Sequence, residues 1–194
     1  MHWKLEDRLS NTQTQTHLAM TDINNTEDWK ILAENVSVVE NFLKKEDWHC
    51  TKENLDDVVI FRGGITGFEG MYATYGFCLI VGAYDIQCFA DFPAKVMNAV
   101  VGVPELICRI NCLLKYGCFE LNCDSGELRF HICVPAVSVQ NDTQNLMRFL
   151  LLSPARILDR YAAAINAVST GVLSPKESLE KFSNVSDVEV KNGK

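Results

Sequence analysis

The chain announces its elements through changes in the spacing of apolar residues. From Trp29 to Leu43 they recur at helical intervals: Trp29, Leu32, Val36, Val39 and Leu43, widened by Ala33 and Phe42. Thr26 is a suitable N-cap, and Glu27 and Asp28 fall in the first turn, where carboxylates suit the helix dipole. A first helix is predicted over Glu27–Lys45, with Glu40 and Lys44 as a surface pair.

The spacing then shortens to that of strands. Val58–Phe61 is β-branched and aromatic, Met71–Val81 is a second strand, and Ile86–Phe92 a third. Gly63-Gly64 and Gly67 to Gly70 predict turns or bulges, and Gly82–Asp85 a further turn. Pro93 ends the ladder because it has no N–H to donate.

Helical spacing returns at Pro104, a residue suited to a first helical position, and is predicted to end at Gly117. The core face of this middle helix is Leu106, Ile107, Ile110, Leu113 and Leu114. Cys118–Cys123 and Glu127–Val134 then alternate as a hairpin closed by Asp124-Ser125-Gly126. Phe119, Leu121, Leu128, Phe130 and Ile132 should face the core, and Glu120, Asn122, Arg129 and His131 a solvated face. A further helical region covers about Thr143 to Val168, kinked or restarted at Pro154 with Ser153 as a cap. Ser174-Pro175-Lys176-Glu177 is a capping box for one short helix through Phe182.

The order is α-β-β-β-α-β-β-α, with sheet and helices segregated, which predicts an α+β two-layer domain with an antiparallel sheet. The domain should occupy residues 26–182, between a polar N-terminal arm, 1–25, and a polar tail, 183–194. Met20 within the arm is a second candidate start.

Composition narrows the function classes. The formal charge is −7, which argues against non-specific nucleic-acid binding, a property that needs clustered Lys and Arg. The charged N-terminus lacks an apolar signal segment, and no stretch has the length of a bilayer span. A cytoplasmic location is expected, with no membrane partner. Eight cysteines are many, but they form no Cys-x-x-Cys pair and no Cys/His zinc-finger spacing. In a reducing compartment they are expected to serve as small buried hydrophobes, with no metal and no cofactor.

Other candidate chemistry has a plainer explanation. Arg62 to Gly70 is glycine-rich, yet a strand rather than a helix follows and the phosphate-binding Lys is missing, so it predicts a hairpin turn. The acidic pairs Glu27-Asp28, Glu46-Asp47 and Asp56-Asp57 sit at element ends, not opposed across a cleft. Asp159 and Arg160, in the Asp159-Arg160-Tyr161 run, are expected on a solvated helix face. His131 and Cys133, on one side of a strand, define the alternative to a binding protein: a small-molecule-binding or thiol-based enzyme.

The middle helix is different. Opposite its core face, Cys108, Cys112 and Tyr116 line up within about 80° of arc, carrying the charges of Glu105 and Arg109 among them. A helix packed on one sheet needs only one apolar stripe. Cys108, Arg109, Cys112 and Tyr116 are therefore predicted to form a partner or dimer interface, whose mixture of apolar and charged groups is typical of protein contacts.

Across about residues 27–182 the chain resembles the YbjN-domain family, described as regulators of bacterial sensory transduction. The resemblance rests on the element order and on local features. These are Pro93 with Val103-Pro104-Glu105 and Ile110-Asn111, then Gly117–Leu121 followed by Asp124–Phe130, and finally Leu158–Tyr161 leading to Gly171 and Ser174–Glu177. It implies a type III secretion chaperone-like fold that dimerises through its middle helix and holds partner segments on apolar grooves. It carries over no catalytic residues. The expectation is a non-catalytic, homodimeric protein that binds an unidentified protein or peptide.

Overall fold

The computed structural model describes residues 26–68, 70–97 and 101–182. The predicted arm and tail lie outside them. Helix α1 (Thr26–Lys45) precedes four strands, β1 (Cys50–Asn54), β2 (Val59–Thr66), β3 (Thr74–Val81) and β4 (Asp85–Asp91). Helix α2 (Gly102–Asn111), the hairpin β5 (Cys118–Leu121) and β6 (Leu128–Pro135), and helices α3 (Ala136–Asn141), α4 (Thr143–Ser169) and α5 (Pro175–Phe182) follow. The fold is α+β. Its six strands form one antiparallel sheet in the order β1-β2-β3-β4-β6-β5.

Alternation along the strands divides the sheet into two faces. Val59, Phe61, Tyr75, Phe77, Leu79, Ile86, Phe119, Phe130 and Ile132 face inward and share one core with the helices. Leu32, Val36, Val39, Phe42 and Leu43 of α1 and Leu150, Leu151, Leu158, Ala162 and Ile165 of α4 close that core. Trp29, at the edge of the α1 stripe, is exposed instead.

Several expectations are corrected. Strand β1 was not foreseen because Cys50-Thr51-Lys52-Glu53-Asn54 lacks an apolar face; it is an edge strand with four exposed residues. It draws Glu40 away from Lys44: Lys52 Nζ lies 2.7 Å from Glu40 Oε1. Gly63 and Gly64 are not a turn but lie inside β2, opposite Phe77 and Gly76. A Cβ at Gly63 would meet the Phe77 ring at 2.6 Å and the His49 carbonyl at 2.9 Å, so glycine is needed for close approach. The β2–β3 connection holds Gly67 at φ +95°, as a turn glycine should be. Strand β3 starts at Thr74 rather than Met71. Helix α3 was also unforeseen, since its six residues are too short for a period to show.

Pro154 neither restarts nor ends α4, which runs through it for 27 residues with the proline buried. The helix instead starts at an Asp142 cap that accepts from the Asn145 N–H. The capping box of α5 forms as predicted: Ser174 N–H and Oγ both donate to Glu177 Oε2, at 2.9 and 2.6 Å, and Glu177 N–H donates back to Ser174 Oγ. Those bonds lower the Glu177 pKa. Asp159 does not lie on a solvated face. It accepts from the hydroxyl of the fully buried Tyr75 at 2.9 Å, tying α4 to β3.

Candidate functional site

The middle helix is shorter than its spacing suggested. α2 stops at Asn111, and the next amides turn back to tighter partners: Leu113 N–H to Ile110 O at 2.8 Å and Leu114 N–H to Asn111 O. The cause lies in the Asn111 side chain. Its Nδ2 donates to Phe119 O at 3.1 Å, and its Oδ1 accepts from Phe119 N–H at 2.8 Å. One carboxamide thereby occupies both backbone groups that β5 presents at its open edge there. Val103, Leu106, Ile107 and Ile110 are buried as a core stripe, but Leu113, past the helix end, is 63% exposed and Leu114 only partly covered. Gly117, at φ +68°, belongs to the turn entering β5 rather than to a helix cap. A Cβ there would meet the Phe130 ring at 2.7 Å.

The predicted interface residues are consequently split. Cys108 and Cys112 are exposed on one surface, beside an open recess of about 500 Å³ between α2 and the β5 end of the sheet. Pro104, Ile107 and Leu121 supply aliphatic walls, and Cys108, Cys112 and Cys123 supply thiols. Arg109 is half-exposed and pairs along the helix with Glu105, Nε to Oε1 at 2.8 Å. Tyr116 is off the helix. It is 64% exposed, and its ring edge leans on Phe149 of α4 with centroids 5.7 Å apart. The straight line Cys108–Cys112–Tyr116 does not exist, because the α-helical rise ends before its last member.

The second region was expected to be a solvated face. The outer side of the sheet is instead organised around Phe89, which is buried there together with Ile60, Cys78 and Ile80. His131 lies directly across from Phe89 in the ladder, and its ring stacks on it at 4.2 Å and 14°. The Arg129 guanidinium sits 4.4 Å from the same ring centre. Arg129 is only 8% exposed. Its Nε donates to Glu120 Oε2 at 2.6 Å, its NH2 group donates to the same oxygen, and Glu120 Oε1 lies 2.9 Å from His131 Nδ1. Burial acts to raise the Glu120 pKa, but the His131 hydrogen bond and the Arg129 charge outweigh it and hold the carboxyl at about 2.

Cys118 completes this group. It stands opposite His131 in the β5–β6 register, as Glu120 stands opposite Arg129. The Cys118 thiol, a Glu120 oxygen and a His131 nitrogen all lie within 4.8 Å of one another. Among the described residues, His131 Nε2 is buried with no hydrogen-bond partner. Sequence spacing pairs His131 with Cys133, two residues along the same strand. The structure turns His131 Nδ1 to Glu120 instead, and burial raises the thiol pKa of both cysteines, with the Asp85 charge adding to it at Cys133 and the Glu120 charge at Cys118. Cys118 was missed because it is thirteen residues from His131; fixing the hairpin register around Asn122–Glu127 would have revealed it.

No helix of the described residues is long and apolar enough to cross a membrane. Compared with family models, curated proteins and solved structures, the chain matches none.

Proposed function

We propose that this chain is a non-catalytic, chaperone-like or regulatory protein that acts as a homodimer and binds a protein or peptide segment. The YbjN resemblance suggests bacterial sensory transduction as its setting. The observation that carries the reading is the open recess beside α2, where thiols and aliphatic groups lie at a surface rather than in the core. A twofold partner would suit it. Glu105 and Arg109 lie one turn apart on the exposed side of α2, so two copies can exchange that ion pair across an isologous contact. Asn111 supports the same reading, since its plug on Phe119 disfavours strand addition at β5 and leaves side-chain packing against α2 as the mode available at this end of the sheet.

Sedimentation across a wide concentration range tests this. The expected result is a concentration-dependent dimer that Cys112→Asp weakens at least tenfold by placing a carboxylate in the contact. Tyr116→Glu, on a residue apart from the recess, should weaken it less. A monomer at every accessible concentration removes the dimer.

A further inference from the structure

We propose that Cys118, Glu120 and His131, on the outer face of the β5–β6 hairpin, form a binding site for a thiophilic divalent cation of the zinc class. The three donors come from two paired strands, so their spacing is fixed by the ladder rather than by mobile loops. All three ligand atoms fall within 4.8 Å of one another. Ligands of one tetrahedral zinc stand about 3.3–3.7 Å apart, given bond lengths of about 2.0–2.3 Å, so side-chain rotation suffices to close the set. Glu120 Oε1 and His131 Nδ1 are already 2.9 Å apart. One sulfur, one nitrogen and one oxygen make a donor set of intermediate softness, which suits zinc over magnesium or calcium.

The surroundings resemble the support that metal ligands require. Phe89 fixes the plane of the His131 ring. Arg129, itself held over Phe89, grips the Glu120 oxygen that faces away from His131 and orients the carboxylate. A cationic guanidinium beside a dication needs anions, and they are present. Asp91 stands opposite Arg129 across β4–β6, so the thiolate, Glu120 and Asp91 balance the metal and Arg129 charge for charge. A salt-bridge cluster by itself explains Glu120, Arg129 and His131 Nδ1, but leaves the Cys118 thiol beside them without a role. On binding, the Cys118 S–H bond breaks and its proton passes to solvent as the sulfur–metal bond forms. His131 binds as the neutral ring through Nδ1, with its proton on Nε2.

Titration of the full chain with Co²⁺ tests the site, because a thiolate ligand gives a sulfur-to-cobalt charge-transfer band. One equivalent should produce the band, and Zn²⁺ should abolish it. Cys118→Ser should remove it, and His131→Gln should weaken binding at least tenfold. The Cys108→Ser/Cys112→Ser/Cys123→Ser variant, which strips the exposed thiols of the recess, should retain the band in full. Absence of a band in the wild-type chain, or its survival in Cys118→Ser, overturns the proposal. Far-UV circular dichroism confirms that each variant is folded, and protection of Cys118 from alkylation by Zn²⁺ in the unaltered chain reads the same site without any substitution.

Discussion

The two faces of the sheet are made from alternate residues of the same strands, yet they solve different problems. The inner face buries aromatic and aliphatic groups under α1 and α4, and any apolar side chain of suitable volume serves there. The outer face has no helix over it among the described residues. It still buries Arg129 and partly buries Glu120 and His131, because Phe89 and its apolar neighbours form a small platform on which those groups lie. Burial without a covering layer allows a charge to be dehydrated enough to have a shifted pKa while remaining accessible to a ligand. The lesson is that polar alternation marks a face as different, not as solvated.

Substitutions can break that comparison. Phe130 and Phe89 are both buried phenylalanines on neighbouring strands, one facing in and one out. Phe130→Ala should have the largest effect, a loss of about 3–5 kcal/mol in denaturant unfolding, since the enclosed core cannot close around the cavity. Phe89→Ala should cost less, about 2 kcal/mol, because an open face can relax and admit water. Equal losses would show the outer platform to be a second core. The smallest effect is electrostatic. The Glu120 carboxyl titrates at about 2 in the fold against an ordinary 4.5. Its contribution is therefore complete above pH 4.5 and is lost as pH falls toward about 2. After allowance for its partial exposure it is worth about 1–2 kcal/mol. Glu120→Gln should remove that pH-dependent part, measured as the change in unfolding free energy between pH 7 and pH 3. An unchanged pH profile would mean that the outer cluster is solvated after all.

The recess and the outer cluster differ in how visible they were. Helical spacing is enough to set Cys108, Arg109 and Cys112 on the exposed side of the middle helix, because residues three and four apart share a face wherever the helix exists. Tyr116 was lost because spacing does not report where a helix stops. That depended on Asn111, whose carboxamide bonds a strand eight residues later. The outer cluster was visible only as a polar stripe, since no local signal sets Cys118 opposite His131. The same limit hid β1, whose polar residues form a strand only because β2 offers them a ladder.

By itself the sequence determined the α+β class, the main apolar stripes of α1 and α4, the inward set of the β5–β6 hairpin and the α5 capping box. Each of these rests on interactions within a few residues or on a periodicity that any partner surface would reward. Tertiary structure decided the end of α2, the place of Gly63 against Phe77, the role of Asp159 and the meeting of Cys118, Glu120 and His131. Those outcomes depend on register and on contacts between distant segments, which local spacing does not contain.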